Sequence, residues 1–149
     1  MKKKLWIAVM ALVSLSLSWA MAQEKTKAPA TAAQKTEAVT FKFKGGSCQV
    51  SEIFLNSTFA PGNIKDGEKP FLINFAYTLN RGVESDALSV LYNEGKFVAP
   101  DGKTYKAGAA LSNDTTYSLI VAVPKDLNVE TLSFVFGNQK VPLKPFIKK

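Results

Sequence analysis

Apolar and polar residues alternate at every second position through much of the chain between residues 39 and 143. The longest run is residues 71–79, where one face carries only apolar and aromatic side chains: Phe71, Ile73, Phe75, Tyr77 and Leu79. A period of two places such side chains on one face of an extended chain, so this run predicts a half-buried β-strand.

Residues 117–136 contain two further alternating runs, and we expect the other strands to cover them. The first run is Tyr117, Leu119, Val121 and Val123, and the second is Leu132, Phe134 and Phe136. Pro124 ends the first run because proline has no N–H for a strand ladder. Since only a short polar connection separates the two runs, the pattern predicts a hairpin at the centre of the fold.

Shorter patterns complete an all-β domain. They predict strands at residues 39–43, 48–55, 96–98, 103–106 and 139–143. Residues 45–47 and 99–102 are turns, residues 56–69 are loop-like, and residues 106–113 are a stretch of small residues. Residues 87–92 fit a short strand or one helical turn equally well. Short strands separated by turn signals, without a long helical pattern, predict a single antiparallel β-sandwich over residues 39–145, followed by a basic tail at residues 146–149.

The first 22 residues have the features of a secretory signal peptide. Residues 2–4 are lysines, and residues 5–17 are apolar and uncharged. Ala20 and Ala22 place small side chains where a signal peptidase reads the chain. We therefore expect a signal helix at residues 1–22 that is cleaved between Ala22 and Gln23.

Two kinds of permanent membrane anchor are disfavoured. The apolar run is shorter than the ~20 residues that a membrane-spanning helix needs. A lipid anchor would need a cysteine directly after the cleavage site, where Gln23 stands. The sequence thus predicts an exported protein, periplasmic or secreted, that meets the membrane only through its cleaved signal peptide. The compact, lysine-rich signal favours a bacterial origin.

Residues 23–38 are polar and rich in alanine, and they contain no aromatic residue. Such a segment buries too little apolar surface to offset the entropy of ordering its backbone, so it is interpreted as a flexible leader. A short helix is the alternative, and Pro29 in the middle argues against a continuous one.

Three segments resemble the immunoglobulin-like domain of bacterial exported proteins and lipoproteins of unknown function. Residues 71–80 (FLINFAYTLN) are similar to the central strand of that family, and residues 97–105 (FVAPDGKTY) to its Asp-Gly hairpin. Residues 117–125 (YSLIVAVPK), followed by residues 132–136, are similar to its later core strands. The resemblance covers about residues 71–143 and implies an immunoglobulin-like sandwich and export, but no activity.

The chain departs from this family in two respects. Members often have a Pro-Gly turn before the third segment, where this chain has Ser112, Asn113 and Asp114. Many members carry a lipid-anchored cysteine, which is lacking here.

The charge and the missing residue types exclude several functions. Without its signal the chain keeps 16 Lys and Arg against 12 Asp and Glu, a scattered formal charge of +4. Nucleic-acid binding needs a dense basic stripe, so it is not expected. There is no histidine, and the three methionines all lie within residues 1–22. The sequence therefore predicts no metal or cofactor site and no histidine-based catalytic centre.

The remaining candidates for chemistry have simpler explanations. Cys48 is interpreted as a reactive thiol, as the partner in an intermolecular disulfide or, in preference, as a small buried side chain. Four aspartates lie in or near turns, which favour aspartate for backbone reasons, and they form no calcium-binding loop. A pair of glutamates for glycoside hydrolysis would need a cleft that so small a sandwich hardly offers. No catalytic residue is therefore predicted.

These observations predict a non-catalytic binding or interaction module, whose protein or envelope partner and oligomeric state the sequence leaves open. Phe54, Phe59 and Phe146 fall outside clean alternation and would form a partner surface if they are exposed together. The alternative is an exported enzyme inhibitor that inserts the turn-rich loop between Asn56 and Lys69 as a plug.

Overall fold

The structure is a computed structural model that describes residues 38–60, 62 and 64–148. The predicted signal peptide, with its cleavage between Ala22 and Gln23, lies outside the described residues, and so does the leader apart from Ala38. No helix in the described part of the chain is long and apolar enough to cross a membrane.

In chain order, the described strands are β1 (Thr40–Phe43), β2 (Gly46–Phe54), β3 (Glu68–Leu79), β4 (Lys96–Val98), β5 (Thr104–Tyr105), β6 (Ala107–Ser112), β7 (Thr116–Pro124), β8 (Ser133–Phe136) and β9 (Gln139–Pro142). Between β3 and β4, a 3-10 helix (Ser85–Leu88) leads into α1 (Ser89–Glu94). Two further 3-10 helices cover Val129–Thr131 and Lys144–Phe146.

The strands form two antiparallel sheets that pack as a sandwich. Sheet 1 has the order β1-β2-β3-β7-β6, and sheet 2 has the order β5-β4-β8-β9. Constant-type immunoglobulin domains, with strands lettered A to G in chain order, have one sheet of order A-B-E-D and another containing C, F and G. The runs β2-β3-β7-β6 and β4-β8-β9 have these same orders. The predicted all-β antiparallel sandwich is confirmed.

Phenylalanine rings from both sheets meet at the centre of the core. The ring of Phe134 on β8 lies 5.2 Å from Phe41, 5.0 Å from Phe75 and 5.2 Å from Phe97. The Phe97 ring also packs edge-on against Phe71 of β3, with centroids 5.4 Å apart. All five rings are fully buried. Aromatic packing thus joins β1 and β3 of sheet 1 to β4 and β8 of sheet 2.

The predicted central hairpin at residues 117–136 is wrong, although its two strands and their buried faces are confirmed. β7 pairs with β3 and β6, whereas β8 pairs with β4 and β9. The connection therefore crosses from one sheet to the other. Asn128 starts its 3-10 helix by accepting a hydrogen bond from the Glu130 N–H at 3.0 Å. Alternation identified which side chains are buried, but it carries no information about the partner strand.

For two other segments, the sequence left the secondary structure undecided or did not predict a strand. Residues 87–92 lie in the consecutive 3-10 and α-helices, which resolves that ambiguity in favour of helix. Residues 107–112 form the edge strand β6, which the sequence did not reveal because its small side chains give no apolar alternation. The turn at residues 99–102 is confirmed: the Gly102 N–H bonds to the Ala99 carbonyl at 2.9 Å, and Gly102 has a φ of +84°.

The end of the described chain returns to sheet 1. Ile147 forms a parallel bridge with Ile53 of β2, and the Lys148 N–H donates to the Ile53 carbonyl at 3.0 Å. The Lys148 ammonium lies 3.3 Å from the Glu52 carboxylate. Residues 147 and 148, placed in the basic tail by the sequence, therefore extend the sheet beside β2 beyond the end of β1.

Candidate binding groove on sheet 1

A groove of about 460 Å³ lies on the outer face of sheet 1. Its floor is formed by side chains of the central strands: Leu72 and Asn74 on β3, and Ser118 on β7. One wall comes from Phe54 and residues 56–59, which follow β2, and the opposite wall from residues 111–113 at the end of β6. The groove thus spans four strands of the sheet.

An apolar row of side chains on the face turned away from the core passes through the floor at Leu72. In the strand register, Leu72 lies between Phe54 on β2 and Ile120 on β7. Leu72 is only 9% exposed and Ile120 only 3% exposed. An outward face of an antiparallel sheet usually carries polar residues. This row therefore makes sheet 1 apolar on both faces at its centre.

Polar groups occupy the other end of the floor. The Ser118 hydroxyl donates to Oδ1 of Asn74 at 2.7 Å, and the Ser51 hydroxyl donates to the Asn74 carbonyl at 3.1 Å. The first contact orients the Asn74 side chain, and the second is made to its main chain. No described residue accepts a hydrogen bond from its Nδ2 group, which carries two N–H donors.

The groove collects the large exposed apolar side chains of the described residues. Among the described residues, the large hydrophobic side chains that are exposed are Phe59 (58%), Leu111 (43%) and Phe54 (40%), and all three line the groove. Single exposed hydrophobic residues are ordinary, but a contiguous group of them marks an interaction surface. We refer to Phe54, Phe59 and Leu111 as the apolar rim.

Local hydrogen bonds hold the two walls of the groove. The Ser57 hydroxyl oxygen accepts from the Phe59 N–H at 3.1 Å, which folds the loop that carries Phe59. Oδ1 of Asn113 accepts from the Thr116 N–H at 2.8 Å and closes the β6–β7 turn. The Tyr77 hydroxyl reaches across to donate to the Asn113 carbonyl at 2.7 Å.

The groove lining contains no ionisable side chain. A molecule that binds there meets apolar surface, hydroxyls and carboxamides, and no formal charge. The three salt bridges of the described residues, Lys103–Asp101, Lys144–Glu130 and Lys148–Glu52, involve none of the lining residues. The arrangement can therefore bind by burial and hydrogen bonding, and its lining offers no acid, base or nucleophile that titrates near neutral pH.

The structure brings together two of the three aromatic residues that the sequence proposed as a partner surface. Phe54 and Phe59 both line the groove. Phe146 does not join them, because it is half-buried and packs against the core at the last 3-10 helix. Leu111 was missed, since it lies within the small-residue stretch that did not predict a strand. Its one signal was that it is the only large apolar residue there.

Cys48 lies in the core and not at a site. It is 2% exposed on the inward face of β2, and burial raises the pKa of its thiol from 9.0 to about 12. The reactive form of cysteine is the thiolate. At neutral pH this thiol is therefore neutral and shielded from solvent, which agrees with its interpretation as a small buried side chain.

The carboxylates do not assemble into a centre. Among the described residues, no three His, Cys, Asp or Glu side chains converge as they would to hold a metal ion. Asp101 has a local role, since its Oδ1 accepts from the Lys103 N–H at 3.0 Å within the β4–β5 turn.

No protein-family model matches the chain, and neither a curated protein nor a solved structure matches it. The fold and the groove together define a class: an all-β sandwich with an uncharged, partly apolar groove on the outer face of one sheet. The function must be inferred from this geometry.

Proposed function

We propose that the protein is an exported, non-catalytic binding module of the immunoglobulin-like class, and that it binds a protein partner through the groove on sheet 1. The observation that carries this proposal is the apolar rim: Phe54, Phe59 and Leu111 are exposed at the same groove. Exposed apolar surface is costly in water, and its concentration at one concave place favours a binding role.

The assignment to the immunoglobulin-like class is supported by the strand order. The chain places β2, β3, β7 and β6 in one sheet and β4, β8 and β9 in the other, as the A-B-E-D and C-F-G strands of such domains lie. The buried Phe97 on β4 occupies the strand on which antibody domains carry their core tryptophan. Export is supported by the signal-peptide features of residues 1–22 and remains part of the proposal.

The groove favours one kind of ligand. Its lining is uncharged, so a charged group buried there would lose its hydration without a compensating partner. A segment of a partner protein that inserts one large apolar side chain between Phe59 and Leu111 would cover the rim. A carbonyl of the same segment could then accept a hydrogen bond from Nδ2 of Asn74.

In the inhibitor hypothesis, the same loop enters a partner and does not receive a segment of one. An inhibitor would insert the loop between Asn56 and Lys69 into the cleft of an enzyme. Residues 56–59 of that loop form a wall of the groove, with Phe59 directed to the space above sheet 1. This placement favours a loop that receives a partner segment over one that enters a partner.

The experiment compares capture by the exported protein and its variants. The wild type, Leu111→Asn and Phe59→Ser are immobilised and exposed to envelope extract. Val135→Asn is the matched control, because Val135 is a partly exposed apolar residue on the outer face of sheet 2. We expect a protein that is retained by the wild type and by Val135→Asn and is lost with both groove variants.

The retained protein is then purified, and its affinity for each variant is measured by titration. Loss of one buried apolar contact should weaken binding by about tenfold or more, on the order of 1.5–3 kcal/mol. Equal affinities for the wild type and Leu111→Asn would refute the groove as the binding site. Turnover of an envelope substrate by the purified protein would refute the non-catalytic role. A retained enzyme that loses its activity on binding would favour the inhibitor hypothesis.

A further inference from the structure

A second groove, of about 450 Å³, lies on the outer face of sheet 2. It is found where α1 ends and where β8 turns into β9, and it is lined by Asn93, Glu94, Lys96, Lys106, Val135 and Gly137. Val135 is the only apolar side chain of this lining. The groove therefore presents mainly charged and carboxamide groups, and its volume is within the range of small-molecule sites.

Three lysines lie in one row across this face. Phe97 is buried in the core, so alternation along β4 places its neighbour Lys96 on the outer face. The register puts Lys96 opposite Val135, and Val135 opposite Lys140. The ladder between β4 and β5, continued by one residue, brings Lys106 beside Lys96 on the other side. Lys96 and Lys106 line the groove, and Lys140 lies beyond Val135.

The stability of the fold does not explain this row. Like charges that lie opposite each other on neighbouring strands destabilise a sheet. None of the three salt bridges of the described residues includes Lys96, Lys106 or Lys140, and all three lysines are exposed. A lysine on an edge strand prevents unwanted pairing, which accounts for Lys140 on β9. Lys96 lies on β4, between β5 and β8, where protection of an edge has no role.

The groove also offers groups that accept hydrogen bonds. Glu94 takes part in none of the three salt bridges, although it lines the same groove as two lysines. A carboxylate accepts hydrogen bonds, and the carboxamide of Asn93 both donates and accepts them. A ligand that fits all four polar side chains carries an anionic group for the lysines and hydroxyl donors for Glu94.

We propose that the groove on sheet 2 binds a small oxyanion that also carries hydroxyl groups, of the class of sugar phosphates and sugar acids. Its phosphate or carboxylate oxygens accept hydrogen bonds from the ammonium groups of Lys96 and Lys106. Its hydroxyl groups donate to the carboxylate of Glu94 and bond to the carboxamide of Asn93. This proposal rests on sheet 2 alone and is independent of the function proposed for the groove on sheet 1.

Anionic macromolecules fit this face less well than a small ligand. Basic segments that bind anionic membranes carry clusters of about four to eight lysines and arginines. This row has three lysines, and the charge of Glu94 repels the same anionic surface. A single-stranded nucleic acid stacks its bases on aromatic side chains, and the lining contains none.

Calorimetric titration of the purified exported protein at low ionic strength tests the proposal, with glucose 6-phosphate, glucuronate and glucose as ligands. We expect at least one of the two acidic sugars to bind, and their relative affinities show whether the site prefers phosphate or carboxylate. Glucose should not bind, because it has no group for the lysines. Lys96→Gln and Lys106→Gln should each weaken binding by about tenfold, since each removes a hydrogen bond from a charged donor.

Lys125→Gln is the matched control for charge. Lys125 is an exposed lysine in the turn after β7 and lies outside the groove lining, so its replacement should leave the affinity unchanged. Thermal unfolding without ligand should show that Lys96→Gln and Lys106→Gln are at least as stable as the wild type, because each removes one of two like charges. Failure of both acidic sugars to bind the wild type, or an equal loss in Lys125→Gln, would overturn the proposal.

Glu94→Ala tests the contact with the hydroxyl groups. The readout is the affinity for the acidic sugar divided by that for its parent anion, inorganic phosphate or acetate. The wild type should prefer the sugar several-fold, and the ratio should approach one in Glu94→Ala, even though loss of a negative charge strengthens the binding of both anions. Equal affinities in the wild type, or an unchanged ratio in the variant, would contradict the proposal. Binding to phosphatidylglycerol vesicles or to single-stranded DNA, with no binding of either sugar, would replace it by a macromolecular surface.

Discussion

The inner faces of both sheets are apolar, but their outer faces differ in the charge of the side chains that they carry. Across sheet 2, Val135 lies between Lys96 and Lys140, so that an apolar side chain is flanked by charges. Across sheet 1, the row at Leu72 continues to Phe54 on one side and to Ile120 on the other without a charge. Sheet 2 thus has the pattern of a sheet that faces water.

Alternation of apolar and polar residues therefore has a different meaning in the two sheets. In sheet 2, alternation marks one buried and one solvated face, which is all that stability requires. In sheet 1, the inner residues form the core, and Leu72 and Ile120 add a second buried layer on the outer face. The exposed apolar rim beside that layer is therefore the place where the sequence departs from what folding alone demands.

The largest expected effect comes from truncating matched residues on the two outer faces. Ile120→Ala should reduce the free energy of unfolding by about 3 kcal/mol, because Ile120 is 3% exposed and its truncation leaves a cavity. Val135→Ala should cost about 1 kcal/mol or less, since Val135 is only partly covered. Urea denaturation measures both values. Equal losses would show that the outer faces do not differ in packing.

The pH dependence of stability tests the burial of Cys48, which lies on the inner face of sheet 1. The folded protein holds the Cys48 proton until about pH 12, whereas the unfolded chain releases it near pH 9.0. Stability is therefore unaffected by this group below pH 9 and falls as the pH rises further. One proton corresponds to about 1.4 kcal/mol per pH unit, or about 2 kcal/mol between pH 9 and 10.5.

Urea denaturation at several pH values measures this loss, and Cys48→Ala is the control that removes the titrating group. The variant should lose about 2 kcal/mol less than the wild type over the same pH interval. Identical pH profiles for the two proteins would contradict the burial of the thiol.

An uncharged fluorescent dye tests whether the outer face of sheet 1 binds apolar molecules. Nile red fluorescence with the wild type should fall several-fold in Leu111→Asn, because this removes one side of the apolar rim. In Val135→Asn the fluorescence should be unchanged, since the groove of about 450 Å³ that Val135 lines on sheet 2 is otherwise polar and contains Glu94, Lys96 and Lys106. Because no lining residue is ionisable, the wild-type signal should also be constant between pH 6 and 8. Dye binding that survives Leu111→Asn would locate the apolar surface elsewhere.

The smallest expected effect is the change in the free energy of unfolding when a residue of the apolar rim is truncated. Phe59 is 58% exposed, so Phe59→Ala should change the free energy of unfolding by no more than about 0.5 kcal/mol. The same variant should reduce dye binding. A loss of stability above 1 kcal/mol would mean that Phe59 supports the fold, and the rim would then have a structural explanation.

The sequence predicted the fold class and most strands because alternation is a local property of neighbouring residues. It did not reveal β6, whose small residues follow no apolar period, and it placed β7 and β8 in one hairpin. Which strand pairs with which depends on contacts between distant parts of the chain, such as β3 with β7. A single sequence carries no direct record of those contacts.

The groove was predictable in part. Phe54 and Phe59 stood out because they break the alternation, and the structure brings them together. Phe146 shared that feature but packs against the core, so breaking the pattern does not by itself indicate exposure. Leu72 and Ile120 could not be recognised, because each lies beside inward apolar residues in an otherwise regular strand. Their orientation becomes visible only once the register assigns every second residue to the outer face.

The central ladder of sheet 1 also has a kinetic consequence. Asn74 and Ser118, which are hydrogen-bonded across β3 and β7, are 44 residues apart in the chain, and Gln139 reaches Thr40 over 99 residues. Domains dominated by such distant pairings fold in roughly milliseconds to seconds, far more slowly than helical bundles. If the chain is exported as proposed, β3 lacks its partner β7 until the later residues have been made, so the chain would remain unfolded and able to thread through a narrow translocation channel until then.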